Sequence, residues 1–151
     1  MKMRTLFNKV TQLKVLSLLL ITLCISLPLQ ANQDDWVLVD RFKRQLASAE
    51  QGKVKAMYAV GKLYERGRGV QRDLTKAAEW YQKAADAGQT SAQSRLGIMY
   101  FEGRGVPQDY DKALKLLQAA ARDNVPSAQY QMANMYELGT GVPQDLEKAI
   151  S

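Results

Sequence analysis

The absence of histidine from this 151-residue chain excludes imidazole acid–base catalysis, histidine-dependent catalytic triads and most transition-metal sites. Its single cysteine, Cys24, has no partner for a disulfide bond within the chain. Four of the 21 lysine and arginine residues precede residue 32, so the rest of the chain holds 17 cations against 15 acidic residues, a net charge of +2. The basic character of the whole chain is therefore no sign of nucleic-acid binding.

Residues 1–31 have the pattern of a secretory signal peptide. Four cations lie within the first 14 residues, an uncharged apolar run follows from Val15 to Leu27, and Ala31 precedes a polar segment. This order predicts cleavage near Ala31, a periplasmic or secreted mature protein, and no stable membrane span after cleavage. An uncleaved membrane anchor is the alternative, although the 13-residue apolar run is shorter than the ~20 residues that a spanning helix needs.

Residues 32–55 are predicted to form a helix that caps the N-terminal end of the repeated region. Between residues 34 and 52 an apolar residue recurs every three or four positions, as on one face of an α-helix. Gly52 stands 36 residues before Gly88, so this helix takes the place of a second helix from a preceding repeat. The apolar positions are Trp36, Val39, Phe42, Leu46 and Ala49.

The rest of the chain repeats with a period of 36 residues and no slip in register. The copies span residues 56–91, 92–127 and 128–151, and the last copy is incomplete. A fixed period of this length is typical of solenoid proteins. The matched positions include Tyr64, Tyr100 and Tyr136; Gly67, Gly103 and Gly139; Val70, Val106 and Val142; and Asp73, Asp109 and Asp145.

Each repeat is predicted to form two antiparallel helices. The apolar residues of both halves recur with the 3.6-residue period of a buried helical face. The glycine after the first helix, Gly103 in the second copy, accepts the left-handed backbone conformation that ends a helix. The aspartate that follows, Asp109, is predicted to cap the second helix by accepting hydrogen bonds from free N–H groups. Gly61 and Gly97 lie within first helices, where the missing side chain allows the second helix to approach closely.

These residues resemble the Sel-1-like repeat, a relative of the tetratricopeptide repeat. The resemblance covers residues 56–151, and the first copy carries nearly the whole motif, through Trp80, Lys83 and Gly88. The second copy departs from it, with Leu116 in place of the tryptophan and Ala119 in place of the lysine. The resemblance implies an all-α, right-handed α-solenoid of antiparallel helix pairs that binds other proteins.

The sequence predicts no catalytic, cofactor-binding or metal-binding site. The Gly67-Arg68-Gly69 loop is similar to a fragment of a phosphate-binding loop, but no strand precedes it and its repetition marks it as a structural turn. Paired acidic residues such as Asp109 and Asp111 are better explained by helix capping and by the helix dipole than by general acid–base catalysis. We therefore predict no catalytic residue, no cofactor and no metal ligand.

A concave groove is the predicted binding surface. The family geometry implies that the first helix of each repeat lines this groove, with the residues opposite its buried stripe pointing into it. Large exposed aromatic residues in such a groove would carry binding energy, and the alternative is that they pack between adjacent repeats. The predicted groove residues are Tyr58, Lys62, Glu65, Ser94, Ile98, Phe101, Tyr130, Asn134 and Glu137.

The resemblance and the lack of catalytic groups predict a non-enzymatic scaffold or adaptor of the periplasm or cell envelope that binds a protein or peptide. One alternative is a glycan-binding or glycan-processing protein, for which Tyr130 and Glu137 are the nearest pairing of an aromatic ring with a carboxylate. Another is a truncated remnant of a longer repeat protein, because the first copy suggests that the last helix should continue about eleven residues past Ser151. The same open end would favour self-association.

Overall fold

The computed structural model describes residues 35–150 as a succession of helices and turns without a strand. The chain divides after Leu38, and the compact unit that begins at Val39 contains the repeats. No helix within residues 35–150 combines the length and apolar character needed to cross a bilayer. The predicted signal peptide lies outside the described residues. The helices are α1 (residues 35–50), α2 (Val54–Arg66), α3 (Leu74–Asp86), α4 (Thr90–Glu102), α5 (Tyr110–Arg122), α6 (Pro126–Leu138) and α7 (Leu146–Ala149).

The first helices of the repeats begin two residues earlier than the predicted boundaries. α2 starts at Val54, so residues 54 and 55 belong to the first repeat and not to the capping segment. The residues at the three N-caps, Lys53, Gln89 and Val125, make no side-chain capping hydrogen bond. Because no capping side chain marks these starts, the sequence has no local signal for α2 and α4, and for α6 the signal is limited to Pro126 at the first helical position.

The predicted helix ends are confirmed in all three repeats. Gly67, Gly103 and Gly139 have φ values of 65°, 68° and 66°, and each donates its N–H to a carbonyl in the last turn of the helix before it. This is the left-handed ending that glycine accepts without steric cost. Asn124 takes a φ of 56° where the first repeat has Gly88.

Each second helix begins with the same group of three side chains. Asp73, Asp109 and Asp145 cap α3, α5 and α7 by accepting a hydrogen bond from the backbone N–H three residues later. The lysine at that position also forms an ion pair with the capping carboxylate. Its Nζ lies over the ring of the repeat's tyrosine, between 5.3 and 5.6 Å from the ring centroid. The three residues therefore recur together because they form one contact that joins the two helices.

The capping aspartates predict a specific dependence of stability on pH. The hydrogen bond from the Lys112 backbone N–H is the main cause that lowers the pKa of Asp109, and the hydrogen bond from the Lys148 side chain is the main cause for Asp145. A carboxyl with a lower pKa in the folded state stabilises the fold above its unfolded pKa. That contribution is lost as the pH falls through the folded pKa, here below the ordinary 3.8.

We therefore expect the double variant Asp109→Asn/Asp145→Asn to lose less of its Tm than the natural protein between about pH 5 and pH 2. Asparagine caps a helix almost as well as aspartate but neither titrates nor forms the ion pair with the lysine, so the variant should melt slightly lower than the natural protein at pH 7. Circular-dichroism melts across this pH range provide the measurement. Parallel loss of Tm in both proteins would show that the two caps do not contribute to acid destabilisation.

The two helices of a repeat pack closely because a glycine in the first faces a large side chain in the second. Tyr81 of α3 is fully buried, and a Cβ added to Gly61 would lie 2.6 Å from its ring. Leu117 of α5 covers Gly97 in the same way, at 2.9 Å. α1 packs on α2 through buried Phe42 and the residues around it. The prediction of close approach at the two glycines is thus confirmed.

Candidate binding groove

The first helices α2, α4 and α6, here called the first-helix row, are joined by polar contacts. Arg95 of α4 lies 3.7 Å from Glu65 of α2, measured from Nη1 to Oε1. The hydroxyls of Ser94 in α4 and Ser127 in α6 are 2.7 Å apart. The interior first helix α4 therefore packs against its own second helix α5, against the preceding second helix α3 and against the next first helix α6.

On α2 the predicted groove residues form a connected cluster. Tyr58 is half-buried, and its ring centroid lies 5.6 Å from that of Tyr81. The Nζ of Lys62 lies over the Tyr58 ring, 5.5 Å from the ring centroid. Glu65 accepts a 2.7 Å hydrogen bond from the Tyr81 hydroxyl. Burial first, and this hydrogen bond second, raise the pKa of Tyr81 well above its ordinary value. Tyr81 therefore stays protonated and donates to Glu65 at neutral pH and well above it.

On α4 the same positions are mainly packing contacts. Ser94 is only 1% exposed, so the prediction that its side chain points into an open groove is wrong. The reason is that α6 covers it through Ser127. Ile98 and Phe101 are half-buried against the core of the second repeat, and the Phe101 ring lies 5.5 Å from that of Tyr110. Ile98 and Phe101 each keep part of their surface accessible.

On α6 the predicted residues are the most accessible of the row. Tyr130 is 74% exposed, Glu137 is exposed and Asn134 is half-buried. Tyr130 lines a cavity of about 460 Å³, together with Tyr136 and Ile150. Tyr130 and Glu137 lie on the same helix seven residues apart, but no hydrogen bond or ring contact joins their side chains among the contacts of the described residues.

Three residues of the row were not predicted from the sequence. Arg95 and Ser127 each contact a neighbouring repeat, and the 36-residue register relates the buried Gln131 to Arg95. These residues could have been found by comparing the repeats, because the residues at the contacting positions differ together from one repeat to the next. The contact between the first and second repeats involves Glu65, Tyr81 and Arg95, and the corresponding residues one repeat later are Phe101, Leu117 and Gln131.

Gln131 is the one side chain within the described residues that has a buried nitrogen or oxygen atom without a hydrogen-bond partner. It is 9% exposed, and its Nε2 is the unpaired atom. The register explains why: the residue that corresponds to Glu65 is Phe101, whose ring cannot accept as a carboxylate does. An unpaired buried donor costs about 1–3 kcal/mol.

The row thus offers aromatic rings, both signs of charge and one unpaired donor on a rigid helical frame. No three His, Cys, Asp or Glu side chains in the part of the chain that the structure describes are close enough to hold a metal ion. This arrangement can bind a ligand through contact and hydrogen bonds. The fold and the row together define an α-solenoid scaffold.

The profile of the family described as Sel1 repeat matches residues 54–89, 90–125 and 126–151. These residues make up well over half of the chain, which therefore belongs to the Sel1 repeat family. The matched segments keep the 36-residue period and begin with α2, α4 and α6. No curated protein matches the sequence.

Three solved structures illustrate the similarity. A protective antigen present in uropathogenic Escherichia coli strains, which displays an SLR fold, is 37% identical, with a TM-score of 0.69 over 72% of this chain and 23% of that chain. A Sel1 repeat protein from Oxalobacter formigenes is 31% identical, with a TM-score of 0.69 over 74% of this chain and 46% of that chain. Helicobacter pylori cysteine-rich protein B is 29% identical, with a TM-score of 0.55 over 58% and 65%. The chain therefore spans less than half of the first two relatives.

Proposed function

We propose that this protein is a non-enzymatic scaffold of the periplasm or cell envelope, and that it binds a segment of another protein along the first-helix row. The observation that carries the proposal is the buried, unpaired Nε2 of Gln131. A protein retains such a donor at a cost in stability. Because the atom has almost no accessible surface, a ligand that supplies an acceptor reaches it only after the Gln131 amide rotates, and the new hydrogen bond then removes that cost. Backbone carbonyl groups of a polypeptide are acceptors of this kind.

The neighbouring residues suit a polypeptide better than a highly charged ligand. Lys62 and Arg95 contribute positive charge beside Glu65, so the row has no strong field of one sign. Ile98 and Phe101 of the same row are half-buried and expose part of their apolar surface. A peptide with mixed apolar and polar side chains can satisfy both kinds of contact.

Site-specific photo-crosslinking tests this proposal. A photoreactive benzoylphenylalanine at position 62 or 134, in the first-helix row, is expected to capture a discrete protein in cells. The same group at Lys115, which is exposed on the second helix α5, serves as the matched control. Crosslinks to cell-wall polymer from positions 62 and 134 would favour the glycan-binding alternative. Equal protein capture from all three positions would contradict a binding site on the row.

Gln131→Met should raise the stability of the free protein and weaken binding of the captured partner. Methionine has a similar volume and no unpaired donor, so we expect the free energy of unfolding to rise by about 1 kcal/mol. Urea unfolding measures the first effect, and a titration with the captured partner measures the second. A purely structural glutamine would change stability but leave the affinity for the partner unchanged.

The periplasmic or secreted location rests on the sequence of residues 1–31 alone. Its test is the mass of the protein recovered from the cell envelope or periplasm. Cleavage near Ala31 predicts a product that begins at about Asn32. A recovered protein that still begins at Met1 would support the membrane-anchor alternative.

A further inference from the structure

A cavity of about 400 Å³ lies at the junction between the first and second repeats, and its lining includes none of the predicted groove residues. Its apolar lining comes from Ala78 of α3, Leu96 and Tyr100 of α4, and Val106 in the loop after α4. Polar side chains of α3 line it as well, including Thr75 and Gln82. Its volume lies within the range of pockets that hold small organic groups.

The 36-residue register explains why the cavity is present. At the preceding junction α1 faces α2, and Phe42 of α1 is buried beside Leu46, Tyr64 and Val70. Tyr64 and Val70 correspond to Tyr100 and Val106, but Phe42 corresponds to Ala78. The lining of the junction is thus preserved while the side chain that fills it is reduced to a methyl group.

The loss of large apolar side chains from α1 to α3 extends along one face of the helix. Val39 and Leu46 of α1 correspond to Thr75 and Gln82 of α3, so three apolar side chains are replaced together by smaller or polar ones. At the third junction the position of Ala78 is held by Leu114, which packs against the core of that repeat. The middle junction is therefore the one of the three that lacks a large apolar side chain at this position.

The first junction also indicates what fits such a space. The ring of Phe42 packs on Tyr64 in an edge-to-face arrangement, with the ring centroids 5.2 Å apart and the planes at 84°. Aromatic rings prefer this geometry. Glu79 and Lys83 contribute one charge of each sign to the lining of the middle cavity, so the local charge favours a neutral group over an ion.

We propose that this cavity receives an aromatic side chain, of the size of phenylalanine, from a partner polypeptide. The ring would lie against Tyr100 as the Phe42 ring lies against Tyr64, between Leu96 and Val106. Thr75 and Gln82 would then face the polar backbone of the partner. This second site shares α4 with the first-helix row but uses neither Gln131 nor any of the predicted groove residues.

The test is a methyl NMR titration of the full chain with N-acetylphenylalaninamide, with N-acetylalaninamide as the ligand control. Saturable shifts are expected for the methyl groups of Leu96 and Val106 with the phenylalanine compound alone. Val60, which is fully buried at the already filled junction, should not shift. The variant Ala78→Phe should abolish the shifts and raise Tm, because it supplies the ring that Phe42 supplies at the first junction.

Two further variants keep the test decisive. Ala87→Phe places the same ring at the exposed end of α3 and should bind as the natural protein does. Ala78→Leu copies the residue of the third repeat, so it should fold and still block the compound even if Ala78→Phe does not fold. The proposal is overturned if no shifts occur or if Ala78→Leu leaves them unchanged. Shifts with benzyl alcohol but none with N-acetylphenylalaninamide would assign the cavity to a small molecule and also overturn it.

Discussion

Tyr81→Ala is expected to lower the free energy of unfolding by about 3–5 kcal/mol, the range for large aromatic residues in a core. The Tyr81 side chain is fully buried, and its ring covers Gly61, which has no side chain to fill the space left behind. Its hydroxyl also donates to Glu65, which would lose that hydrogen bond and keep its 3.7 Å contact with Arg95. Urea unfolding followed by circular dichroism measures the change.

Tyr81→Phe separates the two contributions of this side chain. It keeps the ring over Gly61 and removes only the hydrogen bond to a carboxylate, for which we expect a loss of about 1.5–3 kcal/mol. Leu117→Ala is the matched change in the second repeat, where no such hydrogen bond exists, and it should cost about 2–5 kcal/mol. If Tyr81→Ala cost no more than Tyr81→Phe, the packing of this ring on Gly61 would not contribute to stability.

Gly105→Ala is expected to destabilise the protein more than an alanine at any glycine that only requires a positive φ. Gly105 has a φ of 72°, which costs an L-residue about 1–2 kcal/mol. In addition, the new Cβ would collide with the backbone carbonyl group of Leu74, at the start of the preceding second helix. Backbone cannot move aside as a flexible side chain can, so overpacking should add about 1–3 kcal/mol.

Gly88→Ala is the matched control for this prediction. Gly88 has a φ of 83°, but a Cβ there would meet nothing within 4 Å. The difference between the two variants in thermal or urea unfolding therefore isolates the packing of one repeat on the next. Gly88→Asn should be nearly neutral, since Asn124 has a φ of 56° at the corresponding position. Equal losses from Gly105→Ala and Gly88→Ala would mean that this loop does not hold adjacent repeats together.

The residues of the candidate site could be predicted from the sequence less fully than the fold could. Lys62 and Glu65 were predicted to lie opposite the buried stripe, and both belong to the cluster around Tyr58 and Tyr81, where the Glu65 side chain is only 12% exposed. The same reasoning failed for Ser94, because helical periodicity describes one buried face whereas a solenoid buries a second side against the next first helix. Gln131 was missed because only its surroundings reveal that its amide lacks a partner.

By itself, the sequence determined the period, the succession of helices, and the residues that end and cap them. These features depend on local backbone requirements, such as the left-handed conformation at Gly103 and the free N–H groups beside Asp109, and each requirement selects a residue type. Only the tertiary structure decided which first-helix residues remain accessible and where a cavity opens. The reason is that these depend on the side chain that a neighbouring repeat places opposite, as Ser127 covers Ser94 and as Ala78 leaves open the space that Phe42 fills at the first junction.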